Sequence, residues 1–422
     1  MLLSNQIFRT ITVFILSSVM FKSKASSITF KSSPQEKLND IGCIYNLLDK
    51  RDTIYASTFG VKADYDGQIG SDNRYALQQA IDYCSIQKKI LKLPSGKILV
   101  NSYATGSAAK AHGNILTLKS NLHIIGNKSE IIIGSFFHDK NFIVFSGLNT
   151  ANPNDITSLT NILITRLAIN FNASKSFMKT KYLLRKGIEI GRTINGEISF
   201  CTFYNGDISC GIATGYGNEK ISNNIKIHNN VFQNLSSSTK NLDHTSIYLN
   251  STNSTIFKNK FTNTLLQGKL ISCAAELHNS NTAFVDNTVS GYTRMMFLAV
   301  TLSEHLKISN LVISNNVANI TNAAIYLWLD KGASMDGISV ENNSIVSTHV
   351  SGYSELYNGT QGMLADARDE KGTMISNMVL RNNKTTIKRT LFKGRAVNYS
   401  TKYKFKSINN SCIGCADGLF YK

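Results

Sequence analysis

The chain has three prolines in 422 residues, too few for proline-rich linkers, and their scarcity leaves nearly every backbone N–H able to join a β-ladder. Seven cysteines, an odd number in a chain of this length, exclude a disulfide framework. Cys412 and Cys415 form a CxxC pair, but no second CxxC accompanies it. A local disulfide or free thiols are therefore expected there, and a zinc site is not. The apolar run Ile11–Phe21 covers 11 residues, short of the ~20 that span a bilayer. Acids are scarce too: 27 Asp and Glu stand against 45 Lys and Arg, a formal net charge of +18.

The first residues, "MLLSNQIFRTITVFILSSVMFKSKASS", put Arg9 before that apolar run and the small residues Ser23 and Ala25 after it. This is the pattern of a secretory signal peptide over 1–25, so a secreted or periplasmic protein is expected, without stable membrane insertion after cleavage. Cleavage takes Arg9, Lys22 and Lys24 and no acid, which lowers the charge from +18 to +15. A basic exported protein concentrates polyanions around itself. Outside the cytoplasm these are acidic polysaccharides, which are the expected partner, and nucleic acid is not.

From residue 200 onward the chain repeats itself: "IKIHNNVFQN", "TIFKNKFTN", "TAFVDNTVSG" and "GISVENNSIVST" alternate apolar residues, turn at asparagine, and resume. Aligning the apolar residue after each asparagine on Phe203, Phe232, Phe261, Val289, Val317 and Ile345 gives spacings of 28 or 29 residues. A regular period of that size with strand-like alternation predicts a solenoid of short strands, one coil per repeat. The fold class expected is all-β, a parallel β-helix. Asn230, Asn259, Asn287, Asn316, Asn343 and Asn383 are the expected corners, because asparagine tolerates left-handed backbone and stacked amides can bond along the axis. Leu77, Ala80, Ile81 and Cys84 recur at helical spacing after Ser71 and Asp72, which predicts a capping helix near 72–85. Lys402, Lys404 and Lys406 alternate with Tyr403 and Phe405, a pattern for a charged final edge strand.

The stretches "FGVKAD", "ALQQAI" and "LPSGKILV", followed by "SNLHIIGNKSEI" and the repeats, resemble the pectate-lyase-like superfamily domain over roughly residues 55–385. The resemblance implies a right-handed coil. It also implies the activities of that superfamily: polysaccharide lyases, polygalacturonase-type hydrolases, uronan epimerases, phage tailspike depolymerases and non-catalytic members. The triplets "NTD", "GHG" and "RIK" are absent, so a polygalacturonase-type enzyme is not supported. The "LDH" of Leu242–His244 resembles the "WIDH" of pectate lyases, whose aspartate ligates calcium, but lacks the tryptophan and any following "RxPxxR". Ca2+ thus enters only through the resemblance. Asp64 and Asp66 in "ADYDG" belong to the stretch that shapes the cap loop in that family.

The resulting organisation is a signal peptide over 1–25, an N-terminal extension over 26–54, a β-helix with its capping helix over 55–400, and a C-terminal cap over 401–422. The repeat register sets Tyr248 against Glu276. "MMFLAV" and "AAIYLWLDKG" continue the stack, which puts Tyr326 two coil rises, roughly 10 Å, from Glu276. Glu276 and His278, two apart on one strand, share a face and are expected to look into solvent. With His244 and Tyr326 they are the candidate catalytic residues. Arg294, Trp328, Asp330, Lys331, Asp366 and Arg368 are the candidate substrate-binding residues. Cations, carboxylates and aromatics on adjoining coils suit an extended sugar chain, and elimination from an acidic polysaccharide needs just such a base, acid and neutralising cation. A paired-carboxylate hydrolase, a C5-epimerase and a non-catalytic glycan binder are the alternatives.

Overall fold

The structure is a computed structural model. It describes residues 51–105, 113–147, 158–173, 184–214, 221–236, 244–264, 273–291, 293, 295–301, 305–321, 323–348, 361–367, 373–388, 395–399 and 405–415. Residues 1–25, expected from the sequence to be a signal peptide, lie outside these residues.

Among the described residues the strands form two arrays, of 23 and ten strands, and every pairing between neighbouring coils is parallel. The chain is a right-handed parallel β-helix. Its cause is legible coil by coil. Ile225 and Ile227 point inward from one strand while Lys226 points out, the chain turns at Asn230, and Phe232 points inward from the next strand. The same inward point is taken by Phe203, Phe232 and Phe261, whose rings stack at 5.0 and 4.8 Å within 7° of parallel. Burying each such ring contributes about 2–3 kcal/mol, and the offset stack adds to it.

The helix Arg74–Ile86 closes the first coil by laying Leu77, Ala80, Ile81 and Cys84 on it. Asp72 anchors its start, accepting hydrogen bonds from the Arg74 and Asn101 main-chain N–H groups and from Ser102 Oγ. At the other end Phe405–Ile408 is the last strand of its column among the described residues, and Ser411–Ile413 follows it after one more asparagine corner. Cys412 and Cys415 are joined as a disulfide, whereas Cys84, Cys201, Cys210 and Cys273 are buried free thiols.

One register expectation is overturned. Val289 pairs with Ala318, not Val317, and Ala318 pairs with Ile345. The inward residue is the second after the corner asparagine, so after Asn316 it is Ala318, 1% exposed, while Val317 turns outward at 53%. Two consecutive apolar residues follow that asparagine, and alternation alone does not say which of them is inside.

Candidate active site on the outer face of the ten-stranded sheet

Within the ten-stranded sheet the inward residues Ile247 and Leu249 pair with Ala275 and Leu277. The opposite face therefore carries a stacked outer column of Glu189, Ala213, Tyr248, Glu276, Leu298 and Tyr326. Glu276 comes from the strand Cys273–Leu277, and its side chain is 17% exposed. One carboxylate oxygen accepts a hydrogen bond from Thr245 Oγ1 at 3.3 Å. The other lies 3.0 Å from His278 Nε2, off the direction along which an Nε2–H would point.

His278 is fixed by its other nitrogen, which is 3.0 Å from the Val300 carbonyl oxygen. A carbonyl only accepts, so Nδ1 carries the ring hydrogen and Nε2 is turned toward the carboxylate. The His278 ring also lies against Tyr248, with centroids 4.6 Å apart. Burial, then the negative charges of Glu276, Cys210 and Glu189, push the Tyr248 phenol well above its ordinary range. It remains a proton donor at neutral pH.

Two coils further on, Tyr326 and Trp328 lie parallel within 5°, with ring centroids 6.4 Å apart, and Leu298 packs against them. Tyr326 is buried and Trp328 half-buried, so the pair offers one accessible flat edge two coils from Glu276, with Leu298 between them.

Several expectations need correction. His278 does not face solvent: it is 1% exposed, because its strand continues into a corner where Tyr248 and the Val300 strand cover it. His244 is wholly buried, its Nδ1 2.7 Å from the Ile208 carbonyl oxygen and its Nε2 3.3 Å from Ser246 Oγ. Burial pulls it down to about 4, so it is a neutral structural imidazole. Asp330 and Lys331 belong to the turn after the strand Ile325–Leu329, where Asp330 Oδ1 accepts the Lys331 N–H and Lys331 is exposed. Asp366 stands in the strand Gln361–Ala367 opposite Trp328. Arg294 and Arg368 lie outside the described residues.

A second ionised group on this face escaped the sequence reading. Lys186 and Glu189, both from the strand Arg185–Glu189, form a buried ion pair of 2.5 Å, with side chains 1% and 0% exposed. Glu189 Oε1 has no hydrogen-bond partner. Burial first, and then Glu276 and Glu189, raise the nearby Cys210 thiol to about 12 against the opposing pull of Lys186, so Cys210 is not a nucleophile. The available signal was the charged residues of "RKGIE" inside an otherwise apolar strand. Insertions of different length between coils hid its register with Tyr248.

Asp243 of "LDH", on which the resemblance puts a calcium ligand, lies outside the described residues. Asp64 accepts from Ser71 N–H and Oγ, and Asp66 from the Gln68 and Ile69 N–H groups, so both carboxylates are committed to shaping their own loop. Among the described residues no three His, Cys, Asp or Glu side chains gather as a metal-holding group. Nor is any described helix long and apolar enough to cross a membrane.

No protein-family model and no curated protein matches the chain in sequence. In three dimensions it is similar to the tailspike protein of E. coli bacteriophage HK620. Against that protein in complex with a pentasaccharide the TM-score is 0.65 at 20% identity, over 88% of this chain and 68% of the tailspike. Against a variant in complex with a hexasaccharide it is 0.64 at 20% identity, over 88% and 67%. Against a doubly substituted variant it is 0.66 at 20% identity, over 87% and 68%. Identity this low shows a shared fold, the parallel β-helix.

Proposed function

We propose that this protein is an exported, carbohydrate-active member of the pectate-lyase-like superfamily that cleaves a polysaccharide along the outer face of its ten-stranded sheet. The observation that carries the reading is Glu276: a partly exposed carboxyl held 3.0 Å from buried His278, two coils along the same outer column from the parallel rings of Tyr326 and Trp328. Flat aromatic surface receives the apolar face of a sugar ring, and a carboxyl along the same column is placed to pass a proton to a linkage oxygen. The tailspike neighbours support this, since they were solved with a pentasaccharide and a hexasaccharide and several carry a replaced aspartate and glutamate. The leader over 1–25 supports action in the periplasm or outside the cell.

Glu276 would protonate the departing oxygen, and the Thr245 hydroxyl and His278 ring would hold it in place. Glu189, wholly buried, would act on the site only through its field across Tyr248. Hydrolysis needs a second carboxyl to take the proton of the attacking water, and Asp330, in the turn after the strand Ile325–Leu329, is the candidate. Elimination from a uronate needs a cation over the substrate carboxylate. The two cations of the strand Arg185–Glu189 are engaged, Arg185 with the carbonyls of Phe137, His138, Lys140 and Asp207 and Lys186 with Glu189. Elimination remains the second reading on one observation, the charge of +15 after leader removal, which favours a uronate polymer.

The test is product analysis on polygalacturonate, alginate and smooth-type lipopolysaccharide. Shortened chains with saturated ends mean hydrolysis, and C4–C5 unsaturated ends mean elimination. Full-length chains with inverted C5 centres mean epimerisation. Binding without any product would sink the enzyme reading.

A further inference from the structure

At the residue before each corner the backbone turns left-handed, and these residues stack from coil to coil: Phe200, Asn229, Lys258, Asp286, Asn315 and Asn342, with φ between +54° and +56°. Asparagine adopts that conformation readily, whereas a bulky aromatic residue seldom does. Phe200 nevertheless holds it and leaves 47% of its surface exposed. Its ring stands edge-on to His228 at 5.7 Å and 83°, and His228 lies stacked on Phe257 at 4.5 Å and 17°. The three rings form an aromatic ledge over three successive coils, Phe200 exposed, Phe257 half-buried and His228 buried between them, on the 23-stranded array and not on the sheet that carries Glu276.

The ledge has a polar rim. His228 Nδ1 accepts from the Asn229 amide at 2.9 Å, which places the ring hydrogen on Nε2, 3.2 Å from Glu197 Oε1. Ser199 Oγ donates to the same carboxylate oxygen at 3.1 Å. Lys258 projects from the left-handed position two coils beyond Phe200 and is exposed, and Asp286 follows it. Aromatic surface bounded by carboxylate, amide and ammonium groups is the chemistry that holds a pyranose. The C–H face lies on the rings, and the hydroxyls find both acceptors and donors at the edge.

We propose that Phe200, His228 and Phe257 form a second, non-catalytic carbohydrate-binding site, which grips the polysaccharide outside the Glu276 groove. It rests on the polysaccharide reading of that groove and adds to it a place where binding alone occurs. The mixed charge of the rim, Glu197 and Asp286 against Lys258, suits hydroxyl-rich, sparsely charged sugar units. Two grips on one polymer raise the effective concentration of its linkages at the groove.

The experiment is affinity electrophoresis through gels holding dextran, polygalacturonate or smooth-type lipopolysaccharide, with wild type, Phe200→Asn and Glu276→Gln. Phe200→Asn installs the residue held at three of the equivalent positions, Asn229, Asn315 and Asn342, so it should raise the melting temperature while weakening retardation about five- to tenfold, the scale of one lost aromatic contact. Glu276→Gln is the control: it should abolish cleavage and keep the retardation that depends on Phe200. If cleavage fails in wild type while Phe200-dependent retardation stands, the groove reading falls and this site survives. If Phe200→Asn lowers the melting temperature, Phe200 is a packing lid over His228 and the proposal is overturned. Equal retardation of Phe200→Asn and wild type, or no retardation of wild type in any of the three gels, overturns it as well.

Discussion

Asn259 Oδ1 accepts two hydrogen bonds from Asn230, one from its main-chain N–H and one from its side-chain amide, both at 3.0 Å. The second amide hydrogen of Asn230 goes to the Ile198 carbonyl at 2.9 Å. The same arrangement repeats through Asn287, Asn316, Asn343 and Asn383 to Asn410. Each side chain thus satisfies a buried main-chain donor and a carbonyl of the coil before it, while its amide also donates to the asparagine of the coil after it. Replacing Asn287 by alanine would strand both donors of Asn259 and the Ile256 carbonyl. At roughly 1–3 kcal/mol for each buried group left unpaired, the total should reach several kcal/mol. Asn410→Ala, at the partly exposed end where water can substitute, should cost about a third as much. Melting temperatures of the two variants decide it: equal loss would mean that the ladder is not a buried network.

The slip at Val317 gives a sharper check of register. Phe232→Asp places an unpaired charge between two stacked rings and should cost several kcal/mol, and Ala318→Asp should behave likewise. Val317→Asp should stay within about 0.5 kcal/mol, because an exposed side chain changes nothing buried. Denaturation midpoints that rank Val317→Asp with the other two would reject the pairing of Val289 with Ala318.

The repeat made the architecture legible because each coil carries the same constraints, a left-handed residue, the corner asparagine after it, and an inward residue two positions beyond that asparagine. Tyr248 and Glu276 could be placed on one column from spacing, since each lies 13 residues before Phe261 or Val289, whereas Tyr326 is reached by continuing the stack through "AAIYLWLDKG" past insertions. Glu189 could not, because the insertions that separate its strand from the coils on either side differ in length. Burial was the least legible property. A strand's outer face reads as solvent-facing, which is true of Lys226 but not of His278 or His244. Alternation reports which side of a sheet a residue takes, and says nothing of what lies against that side.

His244 should leave a signature in the acid stability of the protein. Its folded-state value is lowered to about 4 from an ordinary 6.5, so between those limits the unfolded chain binds more protons than the folded one. Stability therefore falls as pH drops below about 6.5, and the full loss, about 3 kcal/mol, is reached near pH 4. His244→Gln, which keeps a donor for the Ile208 carbonyl, should flatten that part of the profile. The measurement is the urea midpoint from pH 7 to pH 4 for both proteins, and parallel curves would mean that His244 titrates normally in the fold.

Glu276 and His278 should part company when each is replaced, because they differ in exposure although they touch. Glu276→Gln keeps the shape, the Thr245 hydrogen bond and the partly exposed position, and removes only the ionisable oxygen. Turnover should drop at least ~100-fold, the usual scale for a lost proton-transfer group, with substrate affinity and melting temperature nearly unchanged. His278→Ala empties a buried site beside Tyr248 and leaves the Val300 carbonyl without its donor. It should therefore lower stability by about 2–4 kcal/mol as well as turnover. His278→Asn can still offer an N–H toward Val300, so it should recover part of the stability while activity stays low, since no ring nitrogen remains to meet the carboxyl. Turnover rates and melting temperatures of the three variants, on whichever polymer the product screen identifies, make the comparison. Full turnover in Glu276→Gln would move the chemistry away from this column, and full turnover in His278→Asn would reduce the histidine to packing.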